Sequence, residues 1–372
     1  MKLNIAYVIS QVSHSKLFEW TAAMLSKEKY NLCFILMHKE ETPFELFLRE
    51  KGFKVHRIGY SSKRDIPRCI LHIRKILKLE NIQIVHTHLF EAGLAGSIAG
   101  KLAGIPRRIH TRHDATIHHD FHPGAVKYDR IINRSSTEII AITENVKNIL
   151  MNLENVPETK IHVIHHGFLL SEYANVDSAR ISAITKKYFP SGKTFPVIGI
   201  VSRFIEWKGI QYVIPAFRNI LEQHPNAHLL LANAQGPYEN QLNELLKTIP
   251  SENYSRILFE KDIAALYHVM DIFVHVPVDA KSEAFGQVYI EAMSAGVPSV
   301  FTLSGIATDC VQDRLNALVV PFCNSPEIQN KILELVVDVQ LRDHIRTNAS
   351  QMVQANYGIE RMIHELELRY DA

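Results

Sequence analysis

The sequence predicts an α/β protein built from two tandem parallel-sheet domains that face a cleft, and three features carry this. Apolar, β-branched runs alternate with helix-period segments along nearly the whole chain. The alternation comes in two series separated by a polar stretch. Finally, 372 residues exceed what one hydrophobic core comfortably fills. An apolar fraction of 47% and a charged fraction of 22% belong to a globular protein and exclude a disordered chain.

The first series of strands is read at residues 3–9, 32–37, 54–58, 82–87, 108–111, 139–142 and 161–164, with helical segments between most of them. The opening run lacks the small-residue cleavage site of a signal peptide, and no apolar run reaches the roughly 20 residues that span a bilayer. It is therefore read as a buried strand. After the turn-rich segment from Pro190 to Pro196 a second series follows at 197–201, 228–231, 257–259, 272–276, 298–302 and 317–320. Two Rossmann-like units result, expected at 1–170 and 171–355, with a C-terminal helix at about 356–372 packing back on the first. The polar 171–193 portion reads as linker plus a short helix. Cys33, Cys69, Cys310 and Cys323 have no CxxC spacing, which argues against a zinc ribbon or a disulfide framework and suits a cytoplasmic setting. Charge is uneven: residues 1–160 carry a net +8 and the remainder −6. A basic first half suggests an anionic partner such as a phosphorylated or lipid-linked acceptor or a membrane face; ordinary surface charge is the alternative.

Ligands of doubly wound sheets bind at the carboxyl ends of strands, so chemistry is sought in the loops that follow them. The most informative segment runs from Ser282 to Pro298 (SEAFGQVYIEAMSAGVP). Glu283 precedes a helical period over about 285–295, and Glu291 lies eight residues on, an offset that places two carboxylates near one helix face. Phe285, Gly286 and Gln287 are expected in the first turn, where free N–H groups can receive a phosphate and Gly286 permits close approach. By spacing alone, a solvent-facing acidic pair is the commoner arrangement. In Val201–Gly209 (VSRFIEWKG), Arg203 and Lys208 flank a strand-to-helix loop and can both reach one diphosphate, through charge-assisted hydrogen bonds worth about 1.5–3 kcal/mol each. In the first half, Thr111–Ala115 (TRHDA) follows a strand and carries His113, a residue suited to hydrogen-bonding hydroxyl groups at neutral pH, while Arg112 is read as a ligand-contacting residue.

Glu283 and Glu291 in this setting resemble the Glu-x7-Glu signature of family 4 glycosyltransferases, retaining enzymes of the GT-B fold, and the EAMSAGVP ending is similar to that family's. The resemblance covers nearly the whole chain. It implies a nucleoside diphosphate sugar donor, with Glu283 beside the donor sugar, Glu291 on the ribose hydroxyls, and Arg203 and Lys208 on the pyrophosphate. It implies that His113 stands near the reacting sugar and acceptor, and that His165, His166 and Gly167 form the interdomain segment. The catalytic set it implies is His113, Arg203, Lys208 and Glu283; the donor-binding set is Arg203, Lys208, Phe285, Gly286, Gln287 and Glu291. The implied activity is transfer of a hexose-type sugar to a glycan or lipid-linked acceptor, in cell-envelope polysaccharide biosynthesis. A GT-B sugar-nucleotide epimerase and a non-catalytic sugar-nucleotide-binding protein are the rivals.

Departures from the family pattern stand beside it. The loop after the first strand, Ser10–Leu17 (SQVSHSKL), has no glycine; Asn233–Pro237 (NAQGP) keeps one; Ile306–Asp309 (IATD) replaces Ile-Pro-Glu; and Asn316-Ala317 replaces Asn-Gly. They point to an unusual donor or acceptor. No cofactor and no metal requirement is expected, since Arg203, Lys208 and helix dipoles supply positive charge. The His113–His122 run is the metal-site alternative, although it lacks HExxH spacing. Gly192-Lys-Thr194 lacks the leading glycine of a P-loop, and no GxGxxG follows the first strand. Nucleic acid is not an expected partner. Arg64, Arg68, Arg74, Lys75 and Lys78 accompany Ile70, Ile73, Ile76 and Leu77 at helix spacing. This is either an ordinary solvated helix or a peripheral contact with an anionic membrane at its inner face.

Overall fold

A computed structural model describes residues 2–372. The chain forms two compact units: residues up to Phe168 together with Ile359–Ala372, and Leu169–Gly358. The first holds a seven-stranded parallel sheet of β1 (Leu3–Ser10), β2 (Tyr30–Met37), β3 (Lys54–Ile58), β4 (Ile84–His88), β5 (Arg107–Arg112), β6 (Glu138–Ala141) and β7 (Ile161–Val163), in the order β3-β2-β1-β4-β5-β6-β7. The second holds β8 (Val197–Val201), β9 (His228–Ala232), β10 (Tyr254–Ile257), β11 (Ile272–His275), β12 (Ser299–Phe301) and β13 (Leu318–Val319), in the order β10-β9-β8-β11-β12-β13. In both sheets the order reverses beside the first strand, which is the doubly wound arrangement.

Central strands covered by helices on both faces are buried throughout, so they read as unbroken apolar runs. Ile5–Ile9 in β1 and all of β8 are of this kind. β4 and β5 break the rule: His86, Thr87, His88, His110, Thr111 and Arg112 are polar yet buried. Buried polar groups need partners: His86 meets Thr111 and the C-terminal helix Ile359–Asp371, Thr87 meets His110, and His88 and Arg112 turn to residues beyond the two strands. Tyr370 of that helix hydrogen-bonds Tyr7 and lies 2.6 Å from His86 Nδ1, while His86 Nε2 is 2.7 Å from Thr111 Oγ1. The helix is thereby keyed to the middle of the first sheet.

One strand differs from expectation. Pairing with β9 runs through Tyr254–Ile257, four residues ending where a strand over 257–259 was read. Leu258 and Phe259 are apolar but 54% and 74% exposed. β10 is an edge strand, where Ser255 and Arg256 are tolerated because only one flank is paired, while Tyr254 packs on the core. The stretch read as linker plus a short helix carries two, Ser178–Tyr188 and the single turn Ser171–Ala174. All four cysteines are free.

Candidate active site

In the second unit the strand order reverses between β8 and β11, and the loops after these two strands assemble a charged cluster. β8 leads through Arg203 into the 3-10 turn Glu206–Lys208. Gly209 closes that turn at φ 76, and a Cβ there would stand 1.8 Å from the Val276 carbonyl oxygen just past β11. Only glycine lets the turn come so close. The approach carries the Lys208 ammonium to 2.6 Å from Glu283 Oε2, with the Trp207 ring 4.3 Å from the same nitrogen. Gly209→Ala is therefore expected to cost about 1–3 kcal/mol of stability and, by displacing Lys208, to lower turnover at least about tenfold. Thermal unfolding and kcat measured together check this, and a variant with wild-type kcat contradicts it.

Glu283 is buried between Lys208 and His275, whose Nε2 lies 3.2 Å from the same carboxylate oxygen. Burial alone pushes the carboxyl up. The hydrogen bond from His275 and the charge of Lys208 outweigh it and hold Glu283 down at about 2. Burial also lowers His275, so its imidazole is neutral at pH 7 and donates Nε2–H to the carboxylate. Arg203 is exposed at the end of β8, and its guanidinium has no hydrogen bond or ion pair among the described residues. Two cations thus stand on one loop, one held by a carboxylate and one unengaged.

The helix expected over 285–295 is Gln287–Ser294. Phe285 and Gly286 lie before it rather than in its first turn: the Phe285 carbonyl accepts from Ile306 N–H at 2.8 Å, and Gly286 is the N-cap at φ 80 with no capping side chain. Gln287 is the first helical residue and is exposed. Because Glu283 stands four residues ahead of that helix, it shares no helical face with Glu291. Glu291 is instead bracketed by phenols, Oε1 at 3.0 Å from Tyr173 and Oε2 at 2.8 Å from Tyr267. Each carboxylate oxygen has two acceptor positions, so these bonds leave capacity for further hydroxyl donors.

In the first unit His113 follows β5, and its Nε2 lies 3.1 Å from His88 Nδ1 at the end of β4. The His88 ring stacks on Tyr7 at 5.3 Å, and His113 lies 5.3 Å from the His166 ring. These rings and Thr111 line a cavity of about 30 Å³. Burial drives His88, His113 and His166 below the usual histidine range, so at pH 7 they act as neutral hydrogen-bonding groups.

Arg112 corrects the expectation of a contact with donor or acceptor. It is 2% exposed and fully engaged, with Nη1 at 2.5 Å from Asp129, Nη2 at 3.0 Å from Glu154 and Nε donating to the Asp114 carbonyl at 3.2 Å. The histidine-rich run joins this network: His118 meets Asp129 at 2.7 Å and His119 meets Glu154 at 3.2 Å. Among the described residues no three His, Cys, Asp or Glu side chains cluster as a metal-ligand set. The glycine-free loop after β1 is accommodated by Gln11 at φ 54, a left-handed conformation that glycine more often supplies. Sequence reasoning missed His275, Tyr173 and Tyr267. A lone histidine in an otherwise apolar strand beside the Glu283 segment was the available signal for the first; the two tyrosines gave none.

The family described as Glycosyltransferase Family 4 matches residues 22–172, and Glycosyl transferases group 1 matches residues 183–352. The chain is 27% identical over 356 residues to the capsular polysaccharide biosynthesis glycosyltransferase CapM of Staphylococcus aureus, covering 87% of this chain and 91% of that protein. Its fold is similar to a glycosyltransferase from Rickettsia africae (TM-score 0.83, 20% identity, 99% of this chain and 98% of that one). It is also similar to Anabaena HepE in complex with UDP-glucose (TM-score 0.82, 17% identity, 99% of each chain). Both likenesses show the GT-B fold.

Proposed function

We propose that this chain, which belongs to the family 4 glycosyltransferases, moves a hexose-type sugar from a nucleoside diphosphate sugar to a glycan or lipid-linked acceptor with retention of anomeric configuration. The observation that carries the reading is the cluster of Lys208, Glu283 and the unengaged Arg203 where the second sheet reverses its strand order. Arg203, Lys208 and the open N-terminus of the helix Gln287–Ser294 receive the diphosphate, and the charge that grows on it as the glycosidic bond breaks falls on groups already in place. The acceptor hydroxyl attacks the anomeric carbon on the face the diphosphate leaves, and its proton passes to the departing phosphate oxygen. Glu283 stays charged beside the sugar, and His113 of the first unit hydrogen-bonds sugar hydroxyls. Positive charge that a divalent cation would supply comes from Arg203 and Lys208, so no metal is required. HepE structures with UDP and UDP-glucose support a nucleotide-sugar donor, and the likeness to a capsular enzyme supports an acceptor in cell-envelope polysaccharide. The test offers UDP-, GDP- and ADP-hexoses with glycan and lipid-linked acceptor fractions. Free nucleoside diphosphate released only when acceptor is added is expected; a donor that is isomerised without release overturns transfer.

Glu291 is assigned to the ribose hydroxyls, with Tyr173 and Tyr267 fixing its orientation. Glu291→Ala is expected to weaken nucleoside diphosphate binding about tenfold, or about 1.4 kcal/mol, with a smaller change in kcat. Calorimetric titration reads this directly, and undiminished binding removes the ribose assignment.

No helix among the described residues is long and apolar enough to cross a membrane. A peripheral contact is proposed on the helix Ile66–Leu79, whose Cys69, Ile73 and Leu77 are buried while Arg68, Arg74, Lys75 and Lys78 face outward around Leu71, itself 62% exposed. An exposed leucine ringed by cations suits an anionic lipid surface, each cation contributing about 1 kcal/mol. The chain is expected to co-sediment with anionic vesicles at low salt and to release as ionic strength rises. Equal recovery from neutral vesicles, or binding unaltered when Arg74, Lys75 and Lys78 become Gln, contradicts this.

A further inference from the structure

We infer that His275 is a positioning residue for Glu283: from the end of β11 it donates Nε2–H to the carboxylate oxygen that also receives Lys208, and so fixes where that carboxylate lies. The inference rests on the proposed place of Glu283 beside the donor sugar. Three observations carry it. His275 is 2% exposed in a strand whose other residues are apolar, and its Nδ1 is buried with no hydrogen-bond partner among the described residues. Leaving a polar atom bare in the interior is unfavourable, and an aliphatic side chain would fill the strand without that penalty, so the imidazole is explained by the bond its other nitrogen makes. Secondly, the Glu283 side chain is collared: a Cβ on Gly286 or on Gly305 would come within 2.9 Å of Glu283 Cγ, and Glu283 N–H donates to Ser304 Oγ at 3.3 Å. With the stem confined and Lys208 reaching it from another loop, His275 supplies a fixed strand-borne contact to the carboxylate. Thirdly, the ring itself is held, with the Tyr289 ring edge-on at 4.7 Å and Phe273 stacked at 6.5 Å.

The titratable groups facing this pair are Lys208 from the turn after β8 and Tyr289 from the helix that follows Glu283. Lys208 stabilises the carboxylate, and Tyr289 stays a neutral phenol because burial raises it well above its ordinary value. Removing the imidazole therefore takes away a donor to the charged form, and the Glu283 carboxyl titrates at higher pH.

The test compares His275→Leu, His275→Gln, Glu283→Gln and the double variant His275→Leu/Glu283→Gln in the full chain. The carboxyl carbon of Glu283, assigned by its disappearance in Glu283→Gln, is followed by NMR across pH. It is expected to titrate about one pH unit or more higher in His275→Leu than in the wild type, and to return toward the wild-type position in His275→Gln, whose amide nitrogen reaches the place of Nε2. Turnover of the UDP-, GDP- and ADP-hexose panel is expected to show kcat lowered about tenfold or more by His275→Leu, with a smaller change in KM and recovery in His275→Gln. In the Glu283→Gln background the same substitution costs nothing further. An unmoved carboxyl titration, or an equal loss of kcat in both backgrounds, overturns the inference and leaves His275 a packing residue. Full turnover by Glu283→Gln instead sinks the catalytic reading of Glu283, while the titration still decides what holds the carboxylate.

Discussion

Lys208→Ala is expected to lower kcat by about 10²-fold or more, because in the proposed transfer the ammonium it removes meets charge that develops only as the diphosphate departs. In the resting chain Lys208 lies against Glu283, packed beside Trp207, so it is already oriented before any donor binds. A preplaced charge costs no reorganisation at the moment of reaction. Two effects add in this variant: the leaving group loses a cation, and Glu283 loses the charge that, with the His275 hydrogen bond, offsets its burial, so its carboxyl rises from about 2. Arg203→Ala separates them. Arg203 is exposed and engages nothing among the described residues, so its loss is expected to change stability by no more than about 0.5 kcal/mol while lowering kcat by a similar 10²-fold. Steady-state kinetics with thermal unfolding of both variants checks the pair. Unchanged turnover in either removes its diphosphate assignment.

Arg112→Leu is expected to destabilise the first unit by about 3–5 kcal/mol, the cost of leaving buried carboxylates without their cation. Asp129 and Glu154 are both buried, and each takes one arm of the guanidinium. His118, His119 and Asn133 hydrogen-bond the same two carboxylates, but none of them offers a permanent charge. Arg112→Lys fares little better, since an ammonium cannot serve Asp129, Glu154 and the Asp114 carbonyl from one planar fork. The loss extends to the site, because the bond to Asp114 pins the residue that follows His113. Denaturant unfolding of the first unit, beside a wild-type control, measures the effect; a change below about 1 kcal/mol would mean the network is not held by Arg112.

Most of the fold is legible in the sequence because both sheets are parallel and buried, so each central strand is an unbroken apolar run set between helical periods. Edges are harder. β10 was misplaced because its paired residues are Tyr-Ser-Arg-Ile while the apolar Leu258 and Phe259 beyond it face solvent. At the site, the pairing of Lys208 with Glu283 joins loops 75 residues apart and leaves no trace in spacing. Glu283 and Glu291, eight residues apart, share a helix only on paper, since the helix begins at Gln287, capped by Gly286 at φ 80. Arg112 illustrates the opposite failure: a cation beside a candidate site is not a ligand contact when carboxylates distant in sequence claim it. The tyrosines on Glu291 could not be found because neither lies in the segment that carries it.

The central claim is that the second unit holds a nucleoside diphosphate on Lys208, Arg203 and Glu291. Calorimetric titration with UDP, GDP and ADP, on the wild type and on Lys208→Ala, tests it without knowledge of the acceptor. One of the three is expected to bind the wild type, and to bind Lys208→Ala about tenfold or more weakly, since a charge-assisted bond to phosphate is worth about 1.5–3 kcal/mol. Binding of none of them, or equal binding to both proteins, contradicts the claim.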